Sequence, residues 1–348
     1  MFGLSRGAYT VRCLAGMINN CGIVKPPATP EETDLLCREV YRIYRSPYDI
    51  DAPKSDQSKE FRKNASWPLI GDEEPGEPSR AAPVRFLGLL DTVGSLGIPT
   101  FTGGVGLEWP EFYNQEVSSA VEHVTHAVSL HDRLYAFQPC LALRNRKKFP
   151  DPHKWNINQK WFPGAHYDLG RQRFKVFRDF GVSPLETILS KIGWVSKVIE
   201  PNQVLSDLVL KWMLASIRDN DPNLLIIRNA KMEISQAVER ITSNKRKIGS
   251  GEIYASVAEY APLGGVVMGA WRMINGTRNQ FNAIWQLLFA LRNRHIPELD
   301  ADVYDFRLTD RQIPGGVSIK MLAGIDDARY GSKALEAWSM RRTVSGLA

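Results

Sequence analysis

The chain has 348 residues, of which 43% are hydrophobic and 24% are charged, and its formal net charge is +6. This is the composition of a soluble globular protein, and the length suits one large domain or two modest ones. Lysine and arginine are spread along the chain, and the one dense run, residues 244–247, is short. The pattern therefore favours a solvated loop over a nucleic-acid contact, and it leaves open an attraction to an acidic membrane surface.

Cysteine spacing and the N-terminal sequence indicate the compartment. The four cysteines form neither a CxxC pair nor a zinc-binding spacing, which favours free thiols in a reducing, intracellular environment. No charged segment followed by an apolar segment opens the chain, so we predict no signal peptide. The longest weakly polar stretch, residues 261–271, is too short and too rich in glycine to cross a bilayer as a helix. We predict a cytoplasmic protein, with peripheral membrane contact left open.

The first predicted elements are two helices. Apolar residues recur at helical spacing over residues 8–18, which predicts a helix that starts at the GLSRG segment and ends before Gly22. A second helix is predicted over residues 31–44, directly after Pro30. Residues 46–83 are rich in proline and charged side chains, and they predict a long surface excursion or lid rather than core.

The middle of the chain alternates apolar runs with polar loops. Residues 84–90 predict a buried parallel strand that stops abruptly at Asp91. Residues 117–130 predict a helix, and residues 160–163 predict a strand edge. Strands that alternate with helices predict an α/β fold with a largely parallel sheet flanked by helices.

The remainder of the chain is mostly helical by pattern. Helices are predicted over residues 204–217, 232–242 and 278–292. We therefore expect an α/β region over residues 1–200 and a mostly helical C-terminal region or cap over residues 201–348.

The segment Gly3-Leu4-Ser5-Arg6-Gly7 spells G-x-S-x-G, the nucleophile-elbow pattern of serine hydrolases. In such a turn the two glycines avoid collisions with the neighbouring strand and helix. The backbone amide of Arg6, at the start of the helix, would donate to an oxyanion. The same pentapeptide also fits a turn serine that caps a helix, so the pattern alone leaves both interpretations open.

A nucleophilic serine needs a histidine base and an acid that orients it, and in α/β-hydrolases they follow in the order serine, acid, histidine. His166 has the surroundings of a catalytic histidine, because Pro163-Gly164 before it and Gly170 after it predict a tight turn. Asp91 ends the buried strand, an unusual place for a carboxylate unless it is used, although it could also cap the strand. Asp168 is the alternative acid, although a residue so close to the histidine usually shapes the loop.

Three histidines lie close together in sequence, and they raise the question of a metal site. His123, His126 and His131 fall on or just after the helix predicted over residues 117–130. No carboxylate motif accompanies them, so we expect surface or packing histidines and predict no metal.

Four segments in order, FGLSRGAYTVRCLAGMI, FLGLLDTVGSLG, SLHDRLYAFQP and WFPGAHYDLG, resemble an α/β-hydrolase family catalogued as domain of unknown function 2235. It includes the phospholipase effectors of bacterial type VI secretion and many fungal members, and the resemblance runs from Phe2 to about Met213. It implies Ser5 as nucleophile, Asp91 as acid and His166 as general base. It also implies hydrolysis of phospholipids or other lipid esters, with no cofactor.

Two departures from the family pattern are visible. Many members continue after the histidine with a glycine run, as in HSDVGGGY, whereas this chain has HYDLGRQR, which puts the substrate preference in question. Family members also carry a segment before G-x-S-x-G with an Asp-Gly-Thr loop that helps to form the oxyanion hole, and we expect this chain to lack that N-terminal part. The predicted function is a serine hydrolase of the lipase, phospholipase or esterase type. The alternatives are an inactive or truncated fragment and a non-enzymatic membrane- or protein-binding module.

Overall fold

The computed structural model describes most of the first half of the chain and parts of the second. The described residues are 1–68, 82–94, 100–101, 107–108, 116–132, 137–144, 156–172, 174–175, 198–199, 201–221, 223, 225–243, 293–304 and 332–347. The helix predicted over residues 278–292 lies outside them, as does part of the excursion predicted over residues 46–83.

The sheet confirms the predicted α/β class. In chain order the strands are β1 (Phe2–Leu4), β2 (Val84–Leu90), β3 (Thr100–Phe101), β4 (Leu107–Glu108), β5 (Val121–Ser129), β6 (Asn156–Phe162), β7 (Phe174–Lys175), β8 (Val198–Ile199) and β9 (Asp302–Val303). Five of them form a parallel sheet in the order β1-β2-β5-β6-β9. Phe2 lies opposite Gly88 in the β1–β2 pair, and Lys160 lies opposite Asp302 in the β6–β9 pair. The pairs β3–β4 and β7–β8 are antiparallel.

The helices largely follow the predicted pattern. They are α1 (Arg6–Cys21), α2 (Pro30–Arg45), α3 (Asp56–Ala65), α4 (His166–Leu169), α5 (Gln203–Asn220), α6 (Ala230–Thr242) and α7 (Lys333–Val344). The predictions of α1, α2, α5 and α6 are confirmed within a few residues at each end. Among the described helices, none is both long enough and apolar enough to cross a bilayer.

The described part of the segment predicted as a surface excursion, residues 46–68, buries no apolar side chain, but it contains helix α3 and four buried polar residues. Arg62 of α3 is buried and donates hydrogen bonds of 2.7 Å to the carbonyl oxygens of Asn20 and Pro53. Directly after α3, the hydroxyl of Ser66 donates to the carbonyl oxygen of Cys21. These side chains satisfy carbonyl groups at the end of α1 that have no partner inside the helix. The segment therefore fixes the C-terminal end of α1.

Strand β5 corrects the helix that was predicted over residues 117–130. Four valines at helical spacing suggested that helix, but residues 124–130 are all buried, whichever face of the strand they occupy. The strand lies between β2 and β6 in the sheet, and the side chains on both of its faces are buried. A strand that is buried on both faces typically has a continuous apolar sequence, and β-branched valine is common in such strands. His123 and His126 consequently lie on a strand rather than on a helix.

The chain packs as two compact units. The first consists of Met1–His126 and Cys140–Gln159, and the second of Ala127–Pro139 and Lys160–Ala348. In the first unit, Ala8 and Ala15 of α1 pack with buried side chains of β2 and β5, among them Leu87, Leu89 and Val124. This packing places the start of α1 beside the end of β2.

Candidate functional site

The serine of the G-x-S-x-G segment lies between a strand and a helix. Strand β1 ends at Leu4 and α1 begins at Arg6, so Ser5 alone makes the turn. Its backbone has φ 59° and ψ −127°. A positive φ is strained for a residue other than glycine and costs on the order of 1–3 kcal/mol. In the described structure the Ser5 side chain makes no capping hydrogen bond to α1, so the capping interpretation is not what the chain adopts.

The serine turn is held by backbone hydrogen bonds to the end of β2. The Ser5 N–H donates to the carbonyl oxygen of Leu90 over 2.9 Å, and the Ser5 carbonyl oxygen accepts from the N–H of Val93 over 3.4 Å. Arg6 is the first residue of α1, so its N–H has no carbonyl partner within the helix. The turn thus combines a strained serine with a helix N-terminus.

The two glycines of the segment have different roles. A Cβ atom on Gly3 would lie 2.5 Å from both the Ala8 Cα and the Gly7 carbonyl oxygen, so only glycine fits where β1 meets α1. A Cβ atom on Gly7 would meet no heavy atom within 4 Å among the described residues. The expected steric requirement is therefore found at Gly3 and not at Gly7.

The glycines give a stability prediction with a built-in control. We expect Gly3→Ala to lower the free energy of unfolding by about 3 kcal/mol, because the new methyl group meets backbone that cannot yield easily. Gly7→Ala should raise it by about 0.5 kcal/mol, because alanine restricts the unfolded chain and favours the helix. Urea titration of both variants checks this, and equal midpoints for the two would contradict the assigned packing.

The end of β2 forms a second strained turn. Asp91 follows Leu90, is fully buried, and has φ 42°. Thr92, also fully buried, donates its N–H to Nε2 of His126 over 3.2 Å, and its carbonyl oxygen accepts from the N–H of Cys140 over 2.7 Å. The backbone after Asp91 is therefore fixed on both sides.

Polar groups of α1 hold the Cys140 segment beside this turn. Arg12 is buried and donates from Nη1 to the carbonyl oxygen of Cys140 over 2.9 Å and to its Sγ over 3.4 Å. The pKa of Tyr9 is raised to about 12, mainly because burial disfavours the phenolate and also because Cys13 and Cys140 lie nearby. Tyr9 is therefore a neutral phenol at physiological pH and is not suited to act as a base.

In the second unit, His166 begins helix α4 directly after the end of β6. The backbone between them turns at Gly164, which has φ 118°, and this confirms the predicted tight turn after an aromatic strand. His166 is 2% exposed, and its ring stacks on Phe137 with 4.6 Å between ring centroids. Its N–H donates to Oδ2 of Asp132 over 3.1 Å. The histidine is thus buried and its backbone is anchored.

Asp168 shapes the histidine loop through both of its carboxylate oxygens. Oδ2 accepts from the N–H of Ala165 over 2.7 Å, and Oδ1 accepts from the N–H of Asn202 over 2.7 Å. Its carbonyl oxygen accepts from the hydroxyl of Ser206, one turn inside α5. The fully buried carboxylate therefore connects the His166 turn to the start of α5.

Two residues that follow β5, His131 and Asp132, belong to this loop, although no role in it was predicted for either. His131 exchanges two hydrogen bonds of 3.1 Å with Gly164: its Nδ1 accepts from the Gly164 N–H, and its own N–H donates to the Gly164 carbonyl oxygen. Asp132 accepts from the N–H of His166. Both side chains are buried, and a polar His-Asp pair directly after an apolar run was the available signal. Among the described residues there is no group of three or more His, Cys, Asp and Glu side chains that could hold a metal ion.

The chain is similar to known proteins over parts of their length. An uncharacterized protein of Saccharomyces cerevisiae is 33% identical over 142 residues, which cover 40% of this chain and 17% of that protein. A crystal structure of an uncharacterized protein from Pseudomonas aeruginosa aligns with 99% of this chain and 39% of that chain, at 15% identity and a TM-score of 0.31. The chain therefore spans less than half the length of either protein. The family model described as T6SS, phospholipase effector Tle1-like, catalytic domain matches residues 1–216. Since the match covers more than half of the chain, the chain belongs to the family of T6SS phospholipase effector Tle1-like catalytic domains.

Proposed function

We propose that this chain is a serine hydrolase of the lipase type that cleaves carboxylic esters of lipids, with Ser5, Asp91 and His166 as its catalytic triad. The observation that carries the proposal is the backbone of Ser5, with φ 59° and ψ −127° between β1 and α1. A nucleophile elbow holds its serine in a strained conformation at a sharp strand-to-helix turn. Strain at a single non-glycine residue persists where the surrounding structure enforces it, and it concentrates at functional sites.

The substrate class is supported by the family, whose description is that of a phospholipase effector. We propose a phospholipid or another lipid ester as substrate and peripheral contact with a membrane surface as its consequence. The net charge of +6 would favour a surface that carries anionic lipids. No cofactor is required for this chemistry.

In the proposed mechanism, Ser5 Oγ attacks the ester carbonyl carbon while His166 takes the hydroxyl proton. Asp91 orients the imidazole and stabilises the imidazolium that forms. The Arg6 N–H, at the N-terminus of α1, donates to the oxyanion of the tetrahedral intermediate. The imidazolium then protonates the leaving alcohol, which leaves an acyl ester on Ser5. Water attacks this ester with His166 as base, and the carboxylic acid is released.

Asp91 is the preferred acid for local reasons. It follows a buried strand at a fully buried turn with φ 42°, and Val93, two residues later, donates to the Ser5 carbonyl oxygen. Asp168 stays the alternative, but each of its oxygens already accepts a backbone amide. The order serine, aspartate, histidine along the chain also matches that of α/β-hydrolases.

The proposal is tested by product analysis with two substrates. Purified chain is incubated with vesicles of phosphatidylcholine and phosphatidylglycerol and, separately, with p-nitrophenyl butyrate, and the Ser5→Ala variant serves as the blank. We expect free fatty acid from the vesicles and p-nitrophenol from the short ester, both above the blank. Vesicle binding without either product would contradict the proposal and favour a non-enzymatic membrane-binding module.

A further inference from the structure

His126 is a buried histidine of β5 that the proposed mechanism does not use. It is 0% exposed, and both of its ring nitrogens have hydrogen-bonding partners in the first unit. Nε2 lies 3.2 Å from the backbone nitrogen of Thr92, and Nδ1 lies 2.9 Å from Oε1 of Gln159. The N–H of Ala142 also donates to this Oε1, over 2.9 Å.

These partners determine which ring nitrogen carries the proton. The backbone of Thr92 can only donate at its nitrogen, so Nε2 of His126 must accept. The backbone of Ala142 likewise donates, so the side-chain atom of Gln159 that it meets must be the oxygen. That oxygen can accept a second hydrogen bond, and Nδ1 of His126 must supply it. Only the neutral imidazole protonated at Nδ1 satisfies all three contacts, because the other tautomer would set two N–H groups against each other at Thr92.

Thr92 directly follows Asp91, so the contact acts on the turn that presents the proposed acid. The Asp91 backbone has φ 42°, and a turn of this kind needs contacts that hold it in place. On one side the carbonyl oxygen of Thr92 accepts from the N–H of Cys140, and on the other its N–H donates to His126. The imidazole thus satisfies a buried amide that would otherwise lack a partner on this side of the turn.

We infer that His126 is a positioning residue: as a neutral imidazole protonated at Nδ1, it holds the Thr92 amide and thereby sets the orientation of Asp91. The inference deepens the proposed function and rests on it for its catalytic consequence. Its structural content, the tautomer and the protected Thr92 amide, does not depend on catalysis. A histidine that only fills space in the core would need neither a fixed tautomer nor an acceptor atom at Nε2.

Substitutions of His126 distinguish a positioning role of this residue from a packing role. His126→Phe keeps the ring volume but removes both hydrogen bonds, and it should lower kcat for p-nitrophenyl butyrate about a hundredfold with little change in KM. His126→Gln can supply an acceptor oxygen and a donor nitrogen from one side chain, and it should recover most of that loss. His123 lies on the same strand with its side chain 18% exposed, and His123→Phe and His123→Gln are the matched controls. Both controls should keep the wild-type kcat.

Two spectroscopic measurements decide the inference without an activity assay. In 15N NMR spectra of the full chain, assigned by loss of the signal in His126→Gln, His126 should show a protonated Nδ1 and an unprotonated Nε2 near neutral pH. Amide hydrogen exchange of Thr92 should be slow in the wild type and in His126→Gln and faster in His126→Phe. A proton on Nε2, or unchanged Thr92 exchange in a folded His126→Phe, would overturn the inference.

The experiments still decide the inference if the His126→Phe variant does not fold or if the wild type is inactive. If His126→Phe does not fold, the tautomer of the wild type decides alone. If the wild type hydrolyses no ester, the proposed function fails, while the tautomer and the Thr92 exchange still decide the role of His126. If the tautomer is as expected but a folded His126→Phe keeps the wild-type kcat, the inferred effect on the acid is wrong.

Discussion

Replacing Ser5 with alanine is expected to lower the rate of ester hydrolysis by about 10⁴-fold or more. In the proposed mechanism the variant removes the oxygen that attacks the carbonyl, and what remains is the slower contribution of substrate binding and oxyanion stabilisation. The free energy of unfolding should stay nearly unchanged, because the Ser5 side chain caps nothing in the described structure and its turn is held by backbone hydrogen bonds to Leu90 and Val93. Steady-state kinetics and urea titration measure the two quantities.

The matched control for Ser5→Ala removes another hydroxyl from the same helix. Thr10 lies in the second turn of α1, and its hydroxyl donates to the carbonyl oxygen of Arg6 over 3.0 Å. Thr10→Ala should keep the wild-type rate. If Ser5→Ala retained more than a tenth of the wild-type rate, Ser5 would not be the nucleophile. If Thr10→Ala lost as much as Ser5→Ala, the loss would reflect damage to α1 and would not support Ser5 as the nucleophile.

The two candidate acids are expected to respond to the same substitution in opposite ways. Asp91→Asn should lower kcat by about 10⁴-fold, the effect of leaving a triad histidine in the wrong tautomer. Asp168→Asn should instead lower the free energy of unfolding by about 2–3 kcal/mol, because the amide nitrogen would face a backbone N–H where a carboxylate oxygen now accepts. Its rate, measured on the folded fraction, should fall far less than that of Asp91→Asn.

Kinetics and unfolding titrations on both aspartate variants give a two-by-two comparison. The proposed roles require the larger loss of rate at Asp91 and the larger loss of stability at Asp168. If Asp168 were the triad acid, Asp168→Asn would show the larger loss of rate and Asp91→Asn the smaller one. That reversal would refute the assignment of Asp91 and leave Ser5 and His166 unaffected.

Helices α1, α2, α5 and α6 and strand β2 could be predicted because local pattern and burial agree in them. Helix α2 begins at Pro30, and Thr29 and Glu32 form a capping box there with reciprocal hydrogen bonds. Strand β2 is an apolar run that ends at a turn, and α5 carries apolar residues at helical spacing over its whole length. In these segments no distant contact was needed to choose between helix and strand.

Strand β5 and helix α3 could not be read in the same way, because their surroundings decide their roles. The valines of β5 fit a helical period by accident, and β5 is an internal strand of the sheet whose two faces are both buried. Helix α3 is polar by composition, yet its Arg62 is buried against the end of α1. Neither fact is visible in a short window of sequence.

The residues of the candidate site also differ in whether local sequence was enough to predict them. Ser5, Asp91 and His166 were proposed from local context alone: Ser5 from the G-x-S-x-G pattern, Asp91 from the end of an apolar run, and His166 from the proline and glycines around it. The roles of His126, His131 and Asp132 depend on which backbone amides they face across neighbouring strands and turns. The φ of 42° at Asp91 likewise has no signature in the sequence, since any glycine preference there is overridden by the contacts of the turn.

The most direct test of the central claim is covalent labelling with a fluorophosphonate probe, followed by peptide mapping of the adduct. The proposed mechanism predicts one phosphonylated site, Ser5, in the peptide that contains GLSRG, and no labelling of the Ser5→Ala variant. Heat-denatured chain should not be labelled, because the reaction needs the folded base. Labelling at a different serine, or undiminished labelling of Ser5→Ala, would contradict the claim that Ser5 is the nucleophile.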